Sequence, residues 1–279
     1  MNNPKCSVDL PDPRNDPRRV EELISAALVA PNDDEDAYWD AIQALQWRGT
    51  REVLDQASPL CQSLCSTERR VGAHILGQLG CPGRTFPEEC CRILTDLLEN
   101  EREVSVISAA LVALSHHRTP ETIGINSRFR HHADADVRFG TVLALMGYEA
   151  TNAIEPLLEL TKDSDAHVRD WATFALGTQV DVDTPELRQA LVERLTDEDA
   201  DARGEAFVGL ARRRDRRLLP ALQAELASDL VGRLSVEAAS LIGDPSLYPL
   251  LIDLRGKWDE DGDTELLQEA IEACRPDSG

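Results

Sequence analysis

Asp134-Ala-Asp-Val-Arg-Phe-Gly-Thr-Val-Leu-Ala-Leu145 and Asp165-Ala-His-Val-Arg-Asp-Trp-Ala-Thr-Phe-Ala-Leu176 are two copies of one pattern, offset by 31 residues. Self-similarity at that interval marks a stacked array of small units rather than one undivided core. Extending the template outward finds eight anchors, at Ala37, Val71, Val106, Val137, Val168, Ala202, Leu234 and Leu266, spaced by 34, 35, 31, 31, 34, 32 and 32 residues. Eight residues after the anchors stand Leu45, Leu79, Leu114, Leu145, Leu176, Leu210, Ile242 and Cys274, and four after them stands Ala in six of the eight copies. Offsets of four, seven and eight define one face of a helix with 3.6 residues per turn, and the small Ala lets neighbouring helices approach.

Punctuation agrees with that period. Three residues before the anchor the side chain is acidic in seven copies, at Asp34, Glu68, Glu103, Asp134, Asp165, Asp199 and Asp263, with Val231 the exception. A carboxylate there accepts the free amides of a helix N-terminus and suits its positive end. Gly49, Gly80, Gly147, Gly177 and Gly243 follow the same helices at the far end, where a left-handed cap favours glycine. A second set of helices lies between, opened by Pro in Phe86-Pro-Glu, Thr119-Pro-Glu and Thr184-Pro-Glu. The expected fold is all-α, an α-solenoid of about eight helical hairpins. It runs as one domain over residues 17–274, with an N-terminal tail at 1–16 and a C-terminal tail at 275–279.

Composition narrows the function classes. The 279 residues include 51 acidic and 29 basic side chains, a formal charge of −22, which repels nucleic acid and anionic lipid and attracts basic partners. The most apolar stretch, Ile107 to Leu114, is far too short to span a bilayer. The opening Met-Asn-Asn-Pro-Lys-Cys has neither a signal-peptide nor a lipidation pattern. Seven scattered cysteines in a chain this long point to reduced thiols, so a cytoplasmic location is expected.

The pattern acidic-x-x-Val-Arg-x-x-Ala-x-x-Ala-Leu, as in Asp165 to Leu176, resembles HEAT repeats, most closely the short bacterial form named after phycobilisome lyases. The resemblance covers roughly residues 17 to 274. It implies an extended binding surface and leaves function open, because the family includes adaptors, pigment-lyase subunits, a hydroxylase and DNA-repair proteins. The HEAT-repeat deoxyhypusine hydroxylases need His-Glu dipeptides for their di-iron site. Here the six histidines are followed by Ile75, His117, Arg118, His132, Ala133 and Val168. DNA-repair members need a basic groove, the opposite sign from this chain.

Other clusters admit a chemical and a structural reading. Asp134 with Arg138, Asp165 with Arg169 and Asp199 with Arg203 are spaced i to i+4, as a polar ladder for a ligand or as ordinary intrahelical and inter-repeat ion pairs. His116-His117 and His131-His132 flank one helix and are too far apart to share an ion. Cys61, Cys65, Cys90 and Cys91 are either a thiolate zinc set or buried apolar fillers. Asp259 to Glu265 resembles a calcium loop, but the glycine and glutamate such a loop requires are Thr264 and Ala270 here. The run Arg212-Arg-Arg-Asp-Arg-Arg217 is a seat for a phosphate or carboxylate, or a solvated turn between repeats. No catalytic residue, cofactor or metal is expected.

On the inner helices, offsets two and six from the anchor point away from the core, and they hold Trp39, Val112, Phe139, Leu143, Phe174 and Val208. An apolar stripe rimmed by acidic turns has the composition of a protein-binding patch. The expected function is a non-catalytic scaffold that binds another, basic protein along its concave face. Two alternatives stand beside it: a subunit of a phycobilin lyase-type complex, and an acidic inhibitor or immunity protein of a basic toxin or nuclease.

Overall fold

The structure is a computed structural model that describes residues 16–29, 35–258 and 264–276. Among these residues every regular element is helical. The chain divides into two compact units, 1–126 and 127–279. The first holds α1 (Val20–Val29), α2 (Glu35–Arg48), α3 (Arg51–Ala57), α4 (Ser66–Gly77), α5 (Pro87–Asn100), α6 (Val104–His117) and α7 (Ile123–Asn126). The second holds α8 (Ala135–Leu145), α9 (Thr151–Leu160), α10 (Ala166–Gly177), α11 (Pro185–Arg194), α12 (Ala200–Arg212), α13 (Leu219–Leu226), α14 (Arg233–Ile242), α15 (Tyr248–Leu254) and α16 (Thr264–Ala273). The even-numbered helices carry the eight anchors and form the inner set. Within each unit successive inner helices pack side by side, α2–α4–α6 in one and α8–α10–α12–α14–α16 in the other, which is the α-solenoid arrangement.

Burial follows the predicted face at most positions, while the anchors Ala37, Leu234 and Leu266 are only half-buried. Val71, Val106, Val137, Val168 and Ala202 are inaccessible, as are Leu45, Leu79, Leu145, Leu176, Leu210 and Cys274 at the second position. No hairpin alone could cover these side chains, so each repeat is stabilised by apolar area shared with its neighbours. The repeat spacing continues at 31 residues from Val106 to Val137, across the division. We propose that residues 17–274 unfold as one cooperative domain. Calorimetry should give a single transition, whereas a stable proteolytic half ending near Asn126 would refute it.

Several expectations change in detail. Asp16, assigned to the N-terminal tail, is tied down: its carboxylate accepts from Arg18, and Arg48 donates to its carbonyl at 2.6 Å. Residues 1–15 and 277–279, the predicted caps Asp34 and Asp263, and most of the calcium-like segment lie outside the described residues. The Thr119-Pro-Glu opener yields no full helix, only α7 flanked by single 3-10 turns at Pro120–Thr122 and Ser127–Phe129. Gly124 and the β-branched Thr122, Ile123 and Ile125 are poor helix formers. In α9, Pro156 leaves the Asn152 carbonyl without its helical donor, and Ser127 Oγ donates to it at 3.4 Å.

The acidic caps are real at Asp134, Asp165 and Asp199, whose carboxylates accept amides of their own helices. Because they are so engaged, the arginine four residues on reaches forward rather than back. Arg138 forks onto Asp163 at 2.7 Å through both nitrogens, and Arg169 forks onto Asp197 at 2.8 and 2.9 Å. Arg203 meets Glu225 at 3.6 Å. The i to i+4 pairs are therefore replaced by inter-repeat pairs. Arg169 holds Asp197 below the usual carboxylate range; at Asp163 burial opposes the shift, and the Arg138 hydrogen bond prevails with its neighbours' help.

The same device appears one unit earlier, where the sequence register concealed it. Arg69 forks onto Glu101 and donates to the carbonyls of Ser63 and Leu64, the bonds that Arg138 makes to His132 and Ala133. Cys65 is the N-cap of α4, so Glu68, not Val71, occupies the place of Val137. A shift of three residues turns a helix through about 300°, nearly a full turn, and apolar periodicity alone does not detect it.

Glycine too has two roles. Gly49, Gly80, Gly147 and Gly243 have positive φ, as predicted, but Gly177 does not. It is the last residue of α10, and a Cβ built on the facing Gly209 would lie 2.7 Å from its Cα. Its role is close approach of α10 to α12, not a left-handed cap.

Candidate protein-binding face

The six stripe residues do not share one environment. Phe139, Leu143 and Phe174 are half-buried on α8 and α10. Trp39 is 40% exposed and stacks on His74 at 4.9 Å, and Val112 is half-buried on α6. Val208 departs from expectation, being 1% exposed. On α12 all residues from Ala206 to Ala211 are buried, because α10 presses against Gly209 and α14 places Leu234 against Gly204. Val208 is core and contributes no surface to a partner.

In the second unit the aromatic residues form a connected set. Phe139 lies 4.5 Å from the His167 ring and 5.5 Å from Trp171, and Trp171 lies 5.7 Å from Phe174, edge to face. Trp171 and His167 were absent from the predicted stripe. Trp171 sits at offset three from Val168, about 300° round the helix, on the border that the pattern treats as neither core nor surface. Three half-buried aromatics in adjoining repeats supply rigid contact area at low conformational cost.

Carboxylates adjoin this set on α10, α12 and α14. Burial pushes the Glu205 carboxyl up to about 7, with Asp170, Glu237 and Asp201 adding repulsion, and its Oε2 is buried without a hydrogen-bond partner. Burial, with Asp201 and Asp199, likewise raises Asp170 to about 6, against a small opposing effect of His167. Arg233 pairs with Glu237 at 3.3 Å, whereas Asp170 and Glu205 stay raised, and like charges held this close in partial burial are eased by a cation.

The other clusters resolve structurally. Cys61 and Cys90 are buried, and burial pushes both thiols up to about 12, while Cys65 is exposed. Among the described residues no three His, Cys, Asp or Glu side chains stand close enough to hold a metal. His117 Nε2 donates to the Leu76 carbonyl, and His132 Nδ1 accepts the Asp134 amide. The arginine run is a turn, and Arg212, Arg213, Arg216 and Arg217 are engaged within the fold. Arg217 and Arg188 pair with Asp215, and Arg213 donates to backbone carbonyls of both α10 and α12. No described helix is long and apolar enough to cross a membrane.

Comparison with known proteins agrees with this architecture. YibA of Escherichia coli, from strains K12 and O157:H7, is 29% identical over 243 residues, covering 84% of each chain. The X-ray structure of the E. coli protein superposes with a TM-score of 0.76 at 27% identity, covering 92% of both chains. Importin beta, at 13% identity and a TM-score of 0.53, shares the fold over 91% of this chain and 40% of its own. The HEAT-repeat family model matches residues 124–211, so the segment whose two copies disclosed the period carries HEAT repeats.

Proposed function

We propose that the chain is a non-catalytic HEAT-repeat scaffold that binds another protein through the inner-helix face of its second unit. The observation that carries the reading is the half-buried aromatic run Phe139–Trp171–Phe174 set beside the raised carboxyl groups of Asp170 and Glu205, the latter with its Oε2 unpartnered. Such a face suits a basic segment whose arginine or lysine side chains lie over the rings and end on the acids. Leu143 extends the apolar side. The inhibitor reading draws on the same face, with a basic toxin or nuclease as the partner. None of the relatives reported above is named as a lyase, so the phycobilin-lyase alternative rests on repeat type alone.

Affinity capture from the native host tests this. Phe139→Ser with Phe174→Ser should remove a basic partner that the unaltered chain retains, by at least about tenfold, a loss expected when two aromatic anchors go. A docked cation favours the ionised carboxylates, so capture should strengthen as pH rises from about 6 to 8. A capture set indifferent to the double substitution, or a double variant that loses its helical signal, would refute the assignment of this face.

A further inference from the structure

The first unit contains a cavity of ≈ 400 Å³ between α2, α4 and α6, and its chemistry is unlike that of the rest of the molecule. Trp39 and Val112 form part of its wall, with Arg70, His74, Ser108 and His116 around it. In a chain of net charge −22, no lining residue is acidic.

Arg70 is the decisive group. Its guanidinium stands 5.9 Å over the Tyr38 ring, its Nε is buried without a hydrogen-bond partner, and no carboxylate pairs with it among the described residues. Nearby arginines show the usual solution, as in the fork of Arg69 onto Glu101. Ser108 Oγ is likewise buried and unpartnered. Although the guanidinium also interacts with the Tyr38 hydroxyl, its buried Nε and the buried Ser108 hydroxyl represent unmet hydrogen-bonding capacity, which a protein seldom leaves without an occupant.

The imidazoles do not compete for an anion's counter-charge, nor do they repel a neutral body. His74 is held neutral at about 4 by burial and by the charge of Arg70; its Nδ1 meets Tyr38 Oη at 2.6 Å and its carbonyl accepts from Gln46. Burial, Arg84 and His117 depress His116. The local charge is thus positive and concentrated on Arg70, beside a flat apolar wall made by the indole of Trp39 stacked on His74 at 34° between planes. The volume lies within the range of small-molecule sites.

We propose that this cavity binds a small aromatic carboxylate, its ring against Trp39 and Val112 and its carboxylate on the guanidinium of Arg70 beside Ser108. A fork matches a planar carboxylate through two parallel bonds, and the neutral walls accept a ring without stranding a charge. The proposal is independent of the protein-binding face, which lies in the other unit.

Calorimetric titration with 2-naphthoate, and with neutral 2-naphthamide as its isostere, tests it. The carboxylate should bind once per chain and shift the His74 and His116 ring resonances, with the amide at least about tenfold weaker. Arg70→Gln should bring carboxylate affinity down to that of the amide and leave amide affinity unchanged. Ser108→Val, which retains Arg70, should lose a smaller factor, and it decides the matter if Arg70→Gln fails to fold. Equal affinity for acid and amide, insensitivity of the acid to these substitutions, resonance shifts confined to other histidines, or no binding of either probe would each overturn the site.

Discussion

Arg213→Met should destabilise the protein by about 3–5 kcal/mol, the range for removing one member of a buried charged network. The Arg213 side chain is 6% exposed, and its guanidinium donates to five carbonyls: Gly177 and Gly209 through Nη1, Leu176 and Val180 through Nη2, and Val182 through Nη2 and Nε. Leu176 and Gly177 end α10, where a helix leaves its last carbonyls unpaired, and Val180 and Val182 lie in the connector that follows. Burial draws the Arg213 pKa down, partly offset by Asp183, yet at neutral pH the group stays charged. Methionine fills similar volume and strands these acceptors, each at a desolvation cost of about 1–3 kcal/mol before relaxation or water entry. Urea denaturation is the measurement. Arg212→Met, one residue away at a partly exposed side chain, should change stability by less than about 0.5 kcal/mol. Equal effects of the two substitutions would show that Arg213 contributes as bulk charge and not as a staple.

Gly209→Val should cost about 3 kcal/mol and loosen the α10–α12 junction. A Cβ at 209 would stand 2.7 Å from Gly177 Cα and 3.0 Å from Leu191 Cδ1. The nearer obstacle is backbone, which cannot rotate away, so two inner helices must separate and the contacts beside them are lost. The aromatic set on α10 moves with that helix, so the variant should also bind the basic partner more weakly. Gly256→Ala meets nothing closer than 3.9 Å and should be near neutral. A Gly209→Val protein that melts with the unaltered chain would mean that α10 and α12 are not held at this distance.

The proposed sites divide along the same line between local pattern and packing. Phe139, Leu143 and Phe174 were readable because a surface position on a regular helix is fixed by its phase, and these proved half-buried on that face. Trp39 and Val112 were selected by the same phase, but no periodicity indicates that they wall a cavity with Arg70 and Ser108. That arrangement needs three helices at a particular spacing. Val208 had the correct phase and the wrong outcome, since burial depends on how near the flanking helices come.

What the amino-acid order determined by itself is whatever one helix can specify: the eight inner helices, their buried faces, the caps at Asp134, Asp165 and Asp199, and the positive-φ turns at Gly49, Gly80, Gly147 and Gly243. These depend on interactions within a few residues, and their period survives in the text of the chain. Only the tertiary structure decided the partners of side chains long enough to cross between repeats. Arg138 could turn back to Asp134 or forward to Asp163, and it goes forward because Asp134 already serves its own helix amides. Arg69, Arg70 and Arg213 are equally charged in sequence, yet one forks onto Glu101, one faces a cavity without a carboxylate, and one gathers five carbonyls. A flexible cation has several acceptors within reach, and the choice among them rests on distances between helices that no single helix encodes.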